Sequence, residues 1–246
     1  MRLWIDTDLG DNPDDVVALA LAVAHPGIEL IGVSTVSGDV VARAEMVRRF
    51  FGDLGVDVPL VYAGPADPRA LAAAEAVLAI GPLTNLAGLL RAGVDLPPTA
   101  VMGGVIRPTT HRGERRQLES NFAADPVAAA VVVDQAEDLL IVPLDVTAGF
   151  VADKVTHDRL ASIGAVRAHL DRWSSADNEL VLHDPLALLA LVGECVTIGR
   201  RQLAVTVEGR LVEVVESGSE HDVVAHADLA AARSRVVDLV VGTPFG

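Results

Sequence analysis

The sequence predicts an open, mostly parallel, doubly wound (Rossmann-like) α/β sheet with helices on both faces. Short apolar runs alternate with longer helical patterns through most of the chain. These runs are almost continuously apolar, as expected for parallel strands buried on both faces. The chain has 246 residues, of which 51% are hydrophobic, so it can bury a large core. We therefore expect one domain spanning residues 1–246.

The elements follow one another regularly in the first part of the chain. Strands are predicted at residues 2–6, 28–36, 59–64, 77–81, 99–104 and 139–144, with helices at 12–25, 40–55, 70–76, 83–93 and 125–136. Asn12 suits the N-cap of the first helix and Pro13 its first position. Residues 150–192 are predicted to be mainly helical. The remainder predicts two or three strands and a last helix at 227–240.

Composition excludes several classes of function. The chain has 19 basic and 34 acidic residues, a formal charge of −15, so we expect it to bind neither nucleic acid nor an anionic membrane surface. Its one cysteine, Cys195, cannot form an intrachain disulfide. The chain start lacks the apolar region of a signal peptide, and no apolar run is long enough to span a bilayer. A soluble cytoplasmic protein is expected.

The stretch DTDLGDNPDD, residues 6–15, contains five aspartates. Asp6 and Asp8 end the first predicted strand, where ligands bind in sheets of this class, and both are expected to face the crevice. Asp14 and Asp15 lie in the first turn of a helix, where the helix dipole by itself favours carboxylates. Crowded carboxylates at both places require a cation or raised pKa values. Oxygen ligands favour Ca²⁺ or Mg²⁺.

A second acidic position occurs far along the chain, in LHDPLALLAL. Asp184 and Pro185 fit a helix cap and a first helical residue, and His183 precedes them. A single histidine in such a place is more often structural than catalytic. The polar stretch 105–121, with four arginines, is the least regular in the chain and also follows a predicted strand.

Together these motifs resemble the inosine–uridine-preferring nucleoside hydrolase family. The segment DTDLGDNPDDVVALALA resembles the family's acidic signature. Further motifs follow in the family's order: VSTVSGD (33–39), GPLTN (81–85), VMGG (101–104), ESNFAADPVAA (119–129), PLDVT (143–147) and LHDPLA (182–187). Each motif is weak alone, but their common order is a specific signal. Beyond about residue 195 the resemblance is loose.

The resemblance implies Ca²⁺-dependent hydrolysis of the N-glycosidic bond of ribonucleosides to ribose and free base. The implied Ca²⁺ ligands are the carboxylates of Asp8, Asp15 and Asp184 and the backbone carbonyl of Ile80. Mixed oxygen ligands of this kind suit Ca²⁺. Asp6 and Asp11 are implied to support the site.

The resemblance also implies catalytic roles. Asp14 would be the general base that takes a proton from the water held by the cation, and that water attacks C1′ of the ribose. His183 would protonate the departing base or help to orient the group that does so. The substrate would be a small-molecule nucleoside, and the protein a homo-oligomer, either a dimer or a tetramer.

Glu119 and Asn121 match the family's pair of ribose-binding residues, which reach the 5′- and 3′-hydroxyls. Asp39 replaces an asparagine that the family uses at the sugar. Trp173 lies in the segment from which family members contact the base, so it would either stack on the base or pack between helices.

Two further departures from the family concern the rim of the site. Residues 64–80 are much shorter than the family's corresponding segment, which includes a mobile loop, so a wetter site is expected. The asparagine that the family often places before the Glu119 position is absent, and Gly113 and Glu114 stand there. Arg112, Arg115 and Arg116 are close enough in sequence to change the contacts with the 5′ side.

Three alternatives remain open at this level. Asp6-Thr7-Asp8 also resembles the start of a haloacid-dehalogenase-like phosphatase, but that chemistry needs a positioned lysine and Lys154 is the only one. A non-catalytic nucleoside- or ribose-binding protein would explain Asp39 and the short rim. Hydrolysis of an unusual N-riboside would also fit the short rim.

Overall fold

The computed structural model describes residues 1–10, 12–173 and 179–245. The strands are β1 (Arg2–Thr7), β2 (Glu29–Thr35), β3 (Leu60–Ala63), β4 (Ala76–Ala79), β5 (Thr99–Met102), β6 (Thr109–His111), β7 (Glu114–Arg116), β8 (Leu139–Val142), β9 (Val196–Val205), β10 (Leu211–Glu213) and β11 (Ser219–Ala227). The helices are α1 (Asp14–Ala24), α2 (Val40–Leu54), α3 (Pro68–Leu71), α4 (Thr84–Arg91), α5 (Ser120–Ala124), α6 (Pro126–Gln135), α7 (Leu144–Thr147), α8 (Lys154–Leu160), α9 (Gly164–Trp173), α10 (His183–Leu191) and α11 (Leu229–Gly242).

Within these residues, nine strands form one sheet in the order β10-β9-β11-β8-β5-β4-β1-β2-β3. From β11 to β3 every neighbouring pair is parallel, whereas β9 pairs antiparallel with both β11 and β10. The chain runs outward from β1 to β2 and β3, then returns to β4 on the other side of β1. This reversal creates a crevice at the carboxyl ends of β1 and β4. The predicted fold class is confirmed.

The core consists of two apolar clusters, one on each face of the sheet. Side chains alternate along β1, so that Leu3 and Ile5 belong to one cluster and Trp4 to the other. Helices α1 and α10 are apolar through most of their length and pack against each other in the first cluster. Packing α10 onto α1 brings two distant parts of the sequence to the same end of β1.

The starts of two helices differ from the prediction. Helix α1 begins at Asp14, and Pro13, not Asn12, occupies the cap position with no side-chain cap hydrogen bond. Helix α10 begins at His183, so Asp184 and Pro185 lie inside its first turn, where a missing proline N–H costs little. Asp14 and Asp184, the latter predicted as a cap, are therefore both helical residues in the first turns of α1 and α10.

Two segments differ more. The helix predicted at 70–76 is the single turn α3, which ends at Leu71. The stretch 105–121, predicted to be irregular, contains the antiparallel hairpin β6–β7 and the start of α5. Neither β6 nor β7 carries an apolar run, so the hydrophobic pattern could not indicate strands there. In the described part of the chain, no helix is both long and apolar enough to cross a bilayer.

Gly32 shows how closely β1 and β2 approach. It pairs with Trp4, and a Cβ at this position would lie 2.2 Å from an atom of the indole ring. Gly32→Ala is therefore expected to destabilise the protein by about 1–3 kcal/mol through overpacking. Gly88→Ala is the matched control, because it is exposed on α4 with open space around it, and alanine favours a helix. Urea denaturation should separate the variants; equal stability of Gly32→Ala and wild type would contradict this packing.

Candidate active site

Three buried carboxylates meet at the crevice. Asp14, Asp15 and Asp184 each offer an oxygen, and these oxygens lie within 4.8 Å of one another. Asp14 and Asp15 are the first two residues of α1, and Asp184 is the second residue of α10. Two helix N-termini thus point at one place, where their dipoles favour negative charge.

Neighbouring groups hold these carboxylates in position. The hydroxyl of Thr7, the last residue of β1, donates to Asp15 Oδ1. The backbone N–H of Asp184 donates to Asp14 Oδ2 at 3.4 Å. This last contact joins residues that are 170 positions apart in the chain.

Burial raises the pKa of each carboxyl in the cluster, and the charges of neighbouring aspartates raise it further for two of them. Burial raises the pKa of Asp14 to about 6. For Asp15 and Asp184, burial and then the charges of neighbouring aspartates raise the pKa values well above the usual range. Charged carboxylates this close and this buried need a counter-charge. Three oxygen donors and no sulfur or nitrogen donor in the cluster suit a hard divalent cation, so the residues present fit a metal ion.

The cluster opens into a cavity of ≈ 320 Å³. Besides the three aspartates, the cavity is lined by five of the residues singled out from the sequence, namely Asp8, Ile80, Glu119, Asn121 and His183. The fold therefore brings together residues from both ends of the motif series, because β1, β4, β5 and α10 all end or begin at this edge.

Asp8 lies in the cavity but outside the three-residue group just described. A Cβ at Gly81 would lie 3.0 Å from the Asp8 nitrogen and 3.1 Å from its Oδ1, so the chain after β4 approaches Asp8 closely. The guanidinium of Arg43, buried on α2, donates to the carbonyls of Asp8 and Leu9. These contacts hold Asp8 and Leu9, in the acidic stretch that follows β1, against α2.

Asp6 does not face the cavity, and the expectation that it shares the crevice with Asp8 is wrong. Its carboxylate accepts hydrogen bonds from Ser34 Oγ and from Asn85 Nδ2, the latter at 2.8 Å. Successive side chains of a strand point to opposite faces, so Thr7 and not Asp6 reaches Asp15. Burial raises the pKa of Asp6 to about 7. Asp6 therefore joins β1, β2 and α4 behind the site.

His183 lies beside the acidic cluster and is partly buried. Its Nδ1 is 2.8 Å from Thr147 Oγ1, and its ring meets that of His111 edge to face with 5.0 Å between centroids. Burial, followed by the nearby His111 and Arg112, lowers the pKa of His183 to about 3. The imidazole is therefore neutral at ordinary pH and can offer one N–H.

Glu119 and Asn121 are held rigidly at the cavity wall. Glu119 caps α5, and its two oxygens accept from the backbone N–H groups of Asn121, Phe122 and Gly104 at 2.8, 3.1 and 3.0 Å. Burial raises the pKa of Glu119 to about 7. Asn121 Nδ2 donates to the Met102 carbonyl at 3.0 Å, which leaves its amide oxygen available to a ligand.

Two other predicted site residues, Asp39 and Trp173, do not line the cavity. Asp39 is exposed and caps α2 by accepting a hydrogen bond from Ala42 N. Trp173 packs partly into the core, and its ring lies 5.2 Å from the Arg112 guanidinium carbon. Asp11 lies outside the described residues. Lys154 is exposed on α8, paired with Asp158, so the phosphatase alternative lacks its lysine.

Several residues of the site carried no recognised role in the sequence. Thr7 and Thr147 orient Asp15 and His183 through their hydroxyls. Both threonines lie within the recognised motifs, but a hydroxyl side chain does not by itself indicate a functional role in a sequence. His111 belongs to the hairpin that was predicted to be irregular, where only the neighbouring arginines, among them Arg112, were expected to affect the substrate contacts.

Comparison with known proteins identifies relatives of this chain. The family model "Inosine-uridine preferring nucleoside hydrolase" matches residues 3–78 and 69–232. The non-specific ribonucleoside hydrolase RihC of Shigella boydii is 30% identical over 251 residues, covering 78% of this chain and 80% of the relative. The inosine-uridine preferring nucleoside hydrolase of Bacillus anthracis superposes with a TM-score of 0.77 at 18% identity, covering 98% and 99% of the two chains.

A purine-preferring ribonucleoside hydrolase from Gardnerella vaginalis superposes with a TM-score of 0.75 at 19% identity, covering 99% of this chain and 100% of that one. The fold, the acidic site and these matches define the class of the protein as an N-ribosyl hydrolase. The chain belongs to the inosine-uridine preferring nucleoside hydrolase family.

Proposed function

We propose that the protein hydrolyses the N-glycosidic bond of ribonucleosides with Ca²⁺ as cofactor, and that residues 1–246 act as a single domain. The observation that carries the proposal is the buried set of Asp14, Asp15 and Asp184, with His183 lining the same cavity. In the reaction the bond from C1′ to the base nitrogen breaks and a bond from C1′ to a water oxygen forms. The base leaves with the electron pair and takes up a proton.

Asp15 and Asp184 would hold the Ca²⁺ together with Asp8 and the carbonyl of Ile80, which line the same cavity. When bound, the cation supplies Lewis acidity that makes a nearby water more acidic. The raised pKa values of Asp15 and Asp184 support this assignment, since a cation would relieve the repulsion that raises them.

Asp14 would act as the general base. Burial brings its pKa to about 6, and a base with a pKa near the working pH both exists in its charged form and accepts a proton readily. The backbone N–H of Asp184 holds Asp14 Oδ2 at 3.4 Å. The carboxylates around it would also stabilise the positive charge that develops on the ribose at the transition state.

His183 would assist the departing base as a neutral imidazole. If the Thr147 hydroxyl donates to Nδ1, the other ring nitrogen carries the hydrogen and can donate it toward the base. This role differs from that of a charged acid, because the pKa of about 3 keeps the ring neutral. Glu119 and Asn121, which line the same cavity, would bind ribose hydroxyls. Of the two roles considered for Trp173, packing is favoured by its place in the core.

A substrate panel with and without chelator tests the proposal. Purified protein would be incubated with inosine, uridine, adenosine, cytidine and an activated aryl riboside, and free sugar would be measured. We expect hydrolysis of at least one nucleoside, a loss of at least 100-fold on chelation, and recovery on addition of Ca²⁺. No sugar release from any riboside by calcium-loaded protein would refute the proposed function. Full activity after complete chelation would refute the metal assignment alone.

A further inference from the structure

The hairpin β6–β7 places a strained arginine at the cavity. His111 pairs with Glu114, and the two residues between them, Arg112 and Gly113, have φ values of 50° and 75°. Both values are left-handed, a conformation that suits glycine but costs an arginine roughly 1 kcal/mol. Asparagine or aspartate would fit the first position of this turn better. Backbone strain of this kind is concentrated at functional sites in proteins.

The Arg112 side chain packs against an aromatic ring and lines the cavity. Its guanidinium carbon lies 5.2 Å from the centroid of the Trp173 ring, a distance typical of a cation–π contact. Arg112 lines the cavity together with Arg116 and His111. In the described ranges, no acidic side chain forms an ion pair with Arg112, whereas Arg116 is 2.7 Å from Glu114. The guanidinium of Arg112 is thus positioned by an aromatic ring and keeps its donors for a ligand.

The cavity is therefore lined by groups of opposite charge. Carboxylates line it where α1 and α10 begin, and Arg112 and Arg116 line it from the hairpin. Arg112 is close enough to influence both Asp14 and His183, which places its charge within reach of a molecule bound against them. A planar guanidinium binds phosphate or carboxylate through paired hydrogen bonds, and such charged hydrogen bonds are strong.

We propose that the preferred substrate is an N-riboside bearing an anionic oxygen group, either a phosphate on the 5′ oxygen or a carboxylate on the base, and that Arg112 binds this group. The inference rests on the proposed N-riboside hydrolysis and narrows its substrate class. The ribose would lie against the carboxylates and the anionic group against the hairpin. An uncharged nucleoside leaves the guanidinium without a partner and binds less well.

Matched substrates test this preference in the calcium-loaded protein. The value of kcat/KM would be measured for uridine, uridine 5′-monophosphate and orotidine, and for inosine and inosine 5′-monophosphate, with the sugar product identified by chromatography. We expect at least one anionic substrate to exceed its neutral counterpart by roughly 10-fold or more, as one or two charged hydrogen bonds provide. A faster monophosphate identifies the phosphate as the recognised group, and faster orotidine identifies the carboxylate.

Variants assign the effect to Arg112. Arg112→Gln should lower the ratio of anionic to neutral kcat/KM by roughly 10-fold or more. Arg115→Gln is the matched control. This substitution removes the same charge from the same hairpin, but the Arg115 side chain does not line the cavity, so the ratio should remain at the wild-type value. Thermal unfolding of each variant would verify that it is folded. The affinity of wild type and Arg112→Gln for ribose 5-phosphate, measured by calorimetry, gives a readout independent of turnover.

The outcomes separate this inference from the proposed function. Efficient hydrolysis of neutral nucleosides with rejection of all anionic ones would overturn the inference and leave the function standing. An equal loss on neutral and anionic substrates in Arg112→Gln would also overturn it, since that result indicates a structural role beside Trp173. Absence of hydrolysis for every riboside would refute the function and this inference together.

Discussion

Asp14→Asn is expected to reduce kcat for ribonucleoside hydrolysis by roughly 10²–10⁴-fold, the usual contribution of a general base. Asparagine preserves the size of the side chain and can still accept the hydrogen bond from the backbone of Asp184. It removes the basic oxygen whose pKa, about 6, suits proton transfer near neutral pH. Steady-state kinetics at saturating Ca²⁺ would measure the loss.

The same variant decides between two roles that the geometry permits. Asp14 lies in one cluster with Asp15 and Asp184, so its position alone would also suit a ligand. As a base, Asp14→Asn should keep most of the Ca²⁺ affinity measured by calorimetry, whereas Asp15→Asn should lose at least 10-fold. Asp158→Asn, which changes one exposed charge on α8, is the control and should behave as wild type. Recovery of kcat in Asp14→Asn at high Ca²⁺ would show that Asp14 is a ligand.

The metal-free protein is expected to lose stability as pH rises from about 6.5 to 8.5, with a fall in Tm of roughly 5–10 °C. Burial raises the pKa values of Asp6 and Glu119 to about 7, and those of Asp15 and Asp184 also lie well above their usual range. The folded state therefore holds protons that the unfolded state has already released. Under that condition the free energy of unfolding decreases with rising pH.

The histidines act in the opposite direction, but at lower pH. The pKa of His183 is lowered to about 3, so its contribution changes below about pH 6.5, where the unfolded histidine titrates. Saturating Ca²⁺ should raise Tm and reduce the fall, because a bound cation stabilises the charged carboxylates. Glu119→Gln should remove part of the pH dependence. A Tm of the metal-free protein that rises between pH 6.5 and 8.5 would contradict the buried, proton-holding cluster.

The sequence by itself determined the fold class and most of the residues that line the site. Continuous apolar runs that alternate with helical patterns are a local property of the sequence. The strands of the parallel sheet could therefore be predicted without knowledge of any tertiary contact. Seven residues of the recognised motifs line one cavity, namely Asp8, Asp14, Asp15, Glu119, Asn121, His183 and Asp184. All except Glu119 and Asn121, which lay in the stretch predicted to be irregular, stood at predicted strand or helix ends. The carboxyl ends of parallel strands necessarily meet at one edge, which is why the motif positions converged.

Only the tertiary structure decided where each side chain points and what surrounds it. Successive side chains of β1 point to opposite faces of the sheet. Asp6 therefore accepts hydrogen bonds from Ser34 and Asn85, whereas Thr7 donates to Asp15, and these partners depend on which element covers each face. The hydrogen bond between Asp184 and Asp14 depends on packing α10 against α1 across 170 positions of sequence. The β6–β7 hairpin has no apolar pattern, so its backbone pairing appears only in three dimensions. Burial, which raises the pKa values of Asp14, Asp15, Glu119 and Asp184, is a property of the assembled fold.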